Sequence, residues 1–142
     1  MTRLPAWPGL LDRFISENRH RHFAYGSFDC CLWVCDCIQV MTGVDVAAEF
    51  RGRYNSRTGA LRRIREVTGA SSVRKVVEHV TAAQGMVPAP VLNLGRGDVG
   101  LIRRSRDYSL GIVALDAARL IVAAASGLEW IPLTMATAGW RV

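Results

Sequence analysis

Apolar residues recur at helical spacing through the first half of the chain and in short, nearly continuous runs through the second. Leu10, Leu11, Phe14 and Ile15 repeat at a period near 3.6, which predicts an amphipathic helix from about Trp7 to Asn18. Arg19-His20-Arg21-His22 is polar and expected at the surface, and Phe23 to Phe28 reads as a loop. A second helix is expected from Cys30 to Met41, with Asp29 as its cap and Gly43 as its stop. On a helical wheel its apolar arc leaves only Asp36 and Gln39 on a narrow polar side, the pattern of a central, buried helix.

After the turn Thr42-Gly43-Val44-Asp45, residues Val46 to Phe50 suggest a short helical piece. Ser56 can cap a helix carrying Ala60, Leu61, Ile64 and Val67, which Gly69 stops. Ser71 or Ser72 can cap another, with Val73, Val76, Val77 and Val80 on one face, ending near Gly85. Pro88 and Pro90 then break the chain, and β-branched runs follow. Strands are expected at Asp98–Ile102, Ser109–Leu115, Arg119–Ala125, Leu128–Pro132 and Trp140–Val142, with turns at Asp116-Ala117-Ala118 and Ser126-Gly127. Helices followed by an antiparallel meander define an α+β domain. No internal repeat or long linker divides it, so residues 1–142 are expected to form one domain.

Composition changes this picture little: half of the 142 residues are apolar, as suits a domain with a substantial core. No apolar run approaches the ~20 residues of a membrane span, and Met1 to Pro8 lacks the apolar centre of a signal peptide. Charge adds more. The net charge is +6, from seventeen arginines and the single lysine Lys75 against twelve acids. The arginines are scattered in runs of no more than two, without a nucleic-acid motif, so a specific nucleic-acid partner is not expected. An acidic protein surface suits them better. Arg51, Arg53, Arg57, Arg62, Arg103, Arg104 and Arg106 are the candidate interface residues.

All four cysteines, Cys30, Cys31, Cys35 and Cys37, fall within eight residues. That is neither a disulfide framework nor the paired spacing of a zinc or iron–sulfur site. A single helix cannot wrap four thiolates around one ion, so no metal and no cofactor are expected. Cys31, Cys35 and Cys37 read as packing residues. Cys30 is different, because a cysteine just after a capping aspartate sits at the positive end of a helix dipole, which favours the thiolate. Trp7, Trp33, Trp130 and Trp140 read as core or interface anchors. Asp98, after Gly97 at a strand entrance, reads as a residue that fixes a turn.

Two segments resemble the NlpC/P60 cysteine peptidases, a papain-like group. Tyr25-Gly26 through Asp29-Cys30 is similar to their nucleophile motif, and Gly97-Asp98-Val99 to their Gly-Asp-Leu strand. Ser109-Leu110-Gly111-Ile112-Val113 resembles the next strand, where the family reads His-Val-Gly-Ile. Over nearly its whole length the chain looks like a phage-encoded offshoot, through Thr42-Gly43-Val44-Asp45, Arg51-Gly52-Arg53-Tyr54 and Trp140-Arg141-Val142. Such proteins are typically encoded among the tail genes of tailed phages, prophages and gene-transfer agents. The resemblance implies a papain-like fold with Cys30 as nucleophile.

One departure matters for mechanism. The family's general base is a histidine where this chain has Ser109, and serine cannot take a proton from a thiol at neutral pH. Of His20, His22 and His79, only His22 is near enough in sequence to Cys30 to be considered as a substitute base. Cys31-Leu32 also replaces the Ser-Gly common after the family's cysteine. Cys30 is therefore expected to be a vestigial nucleophile. The resemblance implies a structural component of the distal tail, hub, tip or baseplate of a virion. Its partners would be other tail proteins, with peptidoglycan as a further contact. An active hydrolase of peptidoglycan stem peptides, and an assembly factor that leaves the finished tail, are the alternatives.

Overall fold

A computed structural model describes residues 1–105 and 107–142. Four helices precede a sheet: α1 (Trp7–Asn18), α2 (Leu32–Thr42), α3 (Arg57–Thr68) and α4 (Val73–Ala83). The strands are β1 (Val87–Pro88), β2 (Val99–Arg104), β3 (Asp107–Val113), β4 (Arg119–Ala124), β5 (Gly127–Pro132) and β6 (Ala136–Arg141). The fold is α+β, with all six strands antiparallel in the order β1-β6-β2-β3-β4-β5. The meander runs from β2 to β5, and β6 then crosses back to lie beside β2.

Local chemistry sets the helix ends. Ser56 and Ser72 accept the amides of Gly59 and Lys75, capping α3 and α4. Gly43 and Gly69 end α2 and α3 in the left-handed region, at φ +79° and +71°, where a side chain is strained. Between α2 and α3, Val46–Phe50 forms successive turns rather than a helical piece. Arg51 explains this, because its guanidinium reaches back to pair with both Asp36 and Asp45 and draws the segment onto α2. β6 starts four residues before the expected Trp140, and Asp98 stands just outside β2.

Side chains alternate between two cores across the sheet. Val99, Leu101, Leu110, Ile112, Ile121, Ala123, Leu128 and Trp140 face the helices. Trp33 of α2 is fully buried there, stacked on Phe14 of α1 at 5.6 Å and donating its indole N–H to the Ile121 carbonyl. The opposite face holds Ile102, Val113, Leu120 and Val122, with Leu94 and Leu133 contributed by the connecting segments. The sheet can curl around this second core because Gly100 pairs with both Gly111 and Gly139. A Cβ at Gly100 would meet Leu120 at 2.9 Å, and one at Gly139 would overlap Leu94. Short 3-10 turns at Val91–Asn93 and Leu133–Met135 close the curl.

Asp98 ties the chain's two ends to this frame. Its carboxylate accepts Arg3 at 2.5 Å, the Val142 amide at 3.3 Å and the Gly95 amide at 2.8 Å. Arg3 and Arg96 both lie over the Trp7 ring. Among the described residues, no helix is long and apolar enough to cross a membrane.

Candidate functional site around Cys30

The cysteine turn is held from both sides. Ala24 and Phe28 exchange backbone hydrogen bonds of 2.9 Å, which folds Tyr25-Gly26-Ser27 into a tight loop. Gly26 sits at φ +82°, and a Cβ there would overlap the Tyr54 carbonyl oxygen, so only glycine lets the two segments touch. The Gly26 carbonyl accepts the Gly52 amide at 2.8 Å. Phe28 is fully buried edge-on against Trp33.

Asp29 follows and organises the turn. Its Oδ1 accepts the amides of Cys31 and Leu32, at 3.1 and 2.9 Å. Its Oδ2 accepts the Gly26 amide at 3.0 Å and the Tyr54 hydroxyl at 2.6 Å. The Trp33 amide already bonds the Asp29 carbonyl, so Asp29 fills the capping role although regular helix begins at Leu32. Cys30 therefore lies on the cap turn, not within the helix. Burial and the bond to Asp29 push the Tyr54 hydroxyl well above its ordinary pKa, which keeps it a proton donor.

Cys30 is half-buried, with its sulfur 3.9 Å from that of Cys31. The Cys31 thiol acts as donor to it and lowers its pKa; burial and the Asp29 charge oppose this, and the Ser109 hydroxyl adds to the lowering. The Cys31 thiol is raised in turn by the same interaction and by burial. Of the two, Cys30 is the more acidic thiol and Cys31 the less acidic. Ser109 is presented by the first half of β3, which is left unpaired on its β4 side because the two strands join only at Ile112 and Val113. Asp107, two residues earlier on the same strand, opposes thiolate formation.

Behind Cys30 lies a cavity of about 130 Å³ between α2, α3, α4 and the sheet. Tyr25, Arg57 and Asp107 form its solvent-facing rim, and Ile64, Val76, Val77 and Met86 form its buried wall. Cys31 and Cys35 also line it, so their side chains border the cavity instead of filling the core as Cys37 does. Burial drives Cys35 up to about 12 and Cys37 well above its usual value. Among the described residues, no three His, Cys, Asp or Glu side chains are grouped to hold a metal. His20, His22 and His79 are exposed, and none lines the cavity.

The arginines are placed unevenly. Arg51 turns inward, its burial outweighed by the bonds it donates to Asp45 and its pairing with Asp36, which keep it firmly charged. Arg57 pairs with Asp107, while Arg53, Arg62, Arg103 and Arg104 are exposed. Arg106 lies outside the described residues. Sequence reasoning assigned no role to Tyr54, although it stands in the Arg-Gly-Arg-Tyr segment that carried part of the resemblance. Nor did it find the cavity, since apolar stripes on α3 and α4 look alike whether they fill a core or line a void.

Comparison with known proteins adds one match. Residues 2–142 fit a family model described as a domain of unknown function, DUF6950. No curated protein and no solved structure matches the chain.

Proposed function

The chain belongs to the DUF6950 family, and from that premise we propose a catalytically silent domain of the NlpC/P60 kind that serves as a structural part of a phage-like tail. The observation that carries the reading is that His20, His22 and His79 are exposed and none of them lines the cavity at Cys30. Amide hydrolysis needs a base to take the thiol proton and an acid to return it to the leaving amine. The Tyr54 hydroxyl is committed to Asp29, and the Asp29 carboxylate already accepts four hydrogen bonds. Neither is free to shuttle that proton. The tail context rests on the resemblance of the segments around Cys30, Arg51 and Trp140.

Three measurements test the proposal. Purified protein incubated with peptidoglycan stem peptides should release no product. The protein should remain in purified particles, and reversing the charge of Arg53, Arg62, Arg103 and Arg104 should weaken its incorporation. Hydrolysis that disappears in Cys30→Ala would install the hydrolase in place of the structural reading. Absence from finished particles would favour the assembly factor.

A further inference from the structure

We propose that Cys30 and the cavity behind it form a self-acylation site, which takes a short apolar acyl group from an acyl thioester and keeps it. This rests on the reading that the site has no general base, and it follows from what that absence leaves intact. An amine cannot leave as its anion and must first be protonated, but a thiolate can leave, because a thiol is a far stronger acid than a neutral amine. Thioester exchange therefore needs only a nucleophilic sulfur and room for the acyl chain.

The geometry provides both. Cys30 lines the cavity beside its solvent-facing rim, with its sulfur 3.9 Å from that of Cys31. The cavity then runs from the rim at Tyr25 and Arg57 to a wall of Ile64, Val76 and Val77. Its volume of about 130 Å³ compares with an apolar cavity of about 150 Å³ that accepts benzene, so an acyl chain of roughly four to six carbons fits.

In the step itself, the Cys30 sulfur attacks the thioester carbonyl carbon and a new carbon–sulfur bond forms. The donor's carbon–sulfur bond breaks, and the departing sulfur keeps the electron pair. The proton that Cys30 loses is taken up, through solvent, by the released thiol. Nothing is oxidised or reduced. Water cannot readily remove the acyl group, because activating it would require the base that is missing. The product is one stable modification, with the chain buried against α3 and α4.

The test uses the full chain with coenzyme A thioesters of acetyl, butanoyl, hexanoyl and hexadecanoyl groups, followed by intact mass and peptide mapping. One butanoyl or hexanoyl group should appear on Cys30, persist after the donor is removed, and be absent in Cys30→Ala. Ala60→Phe, which intrudes on the cavity from α3, should slow hexanoylation about tenfold, the loss expected for two unburied methylenes. Its circular dichroism and melting temperature report whether it folds. If Ala60→Phe does not fold, the ordering of wild-type rates by chain length decides instead.

No labelling by any donor would overturn the acylation site and leave the baseless reading standing. Labelling followed by repeated release of free acid would overturn both. Equal rates for all four chains would show a merely reactive thiol and also overturn the proposal.

Discussion

Replacing Asp29 with asparagine separates the two jobs of one carboxylate. Oδ1 caps α2 through Cys31 and Leu32, and asparagine caps nearly as well as aspartate. Oδ2 receives two buried donors, the Gly26 amide and the Tyr54 hydroxyl, and in Asp29→Asn an NH2 group would face them. A hydrogen bond to a charged group contributes about 1.5–3 kcal/mol, and two donors sharing one oxygen do not add fully. The expected loss is therefore roughly 2–4 kcal/mol, or about 5–15 °C in melting temperature for a domain of this size. Urea unfolding followed by tryptophan fluorescence measures it. Tyr54→Phe alone should cost about 1.5 kcal/mol, and clearly less in the Asp29→Asn background, because its partner is already gone. The Asp29 charge also opposes the Cys30 thiolate, so Asp29→Asn should lower that thiol's pKa further. A loss below about 0.5 kcal/mol, strict additivity with Tyr54→Phe, or a rise in the Cys30 pKa would each refute this account of the turn.

Iodoacetamide at about pH 8 should alkylate Cys30 alone in the native protein, since the three other thiols are held protonated; mass mapping in and out of denaturant checks this. Asp45 is held below its ordinary pKa, first by the bond from Arg51. Its stabilising effect is thus full above the unfolded value of about 3.9 and fades as the pH falls through the lower folded value. Asp45→Asn should therefore destabilise the protein at neutral pH, and by progressively less as the pH falls below about 3.9, as denaturant titrations across that range would show. Gly139→Ala forces a methyl into Leu94 and should cost about 1–3 kcal/mol, whereas Gly9→Ala, on an open helix face, should gain about 0.5–1 kcal/mol; thermal melts of the two variants should move in opposite directions.

The helices were legible because their signals are local. The apolar repeat in α1, the Ser56 cap and the left-handed Gly69 each act within a few residues. The strands of the meander were legible for the same reason, as β-branched runs between turns. What stayed hidden depends on distant partners. β1 is a two-residue strand that exists only because β6 returns to the far side of β2 and offers it an edge. Val46–Phe50 has a plausible helical pattern, and the pull of Arg51 on Asp36, fifteen positions back, decides against it. At the candidate site, the Asp29 cap could be read directly. The closure of the turn by Tyr54, from twenty-five positions away, could not.

The glycine row across β6, β2 and β3 has a consequence for how the domain can change over generations. By letting the sheet curl onto Leu94 and Leu120, it gives the strands a hydrophobic interior that borrows nothing from the helices. Substitutions on α3, α4 or the Cys30 turn therefore strain only the compartment they face. The sheet remains a fixed platform while the wall opposite it drifts in shape, volume and chemistry. A lineage built this way can remodel the lining of the cavity without first rebuilding its foundation.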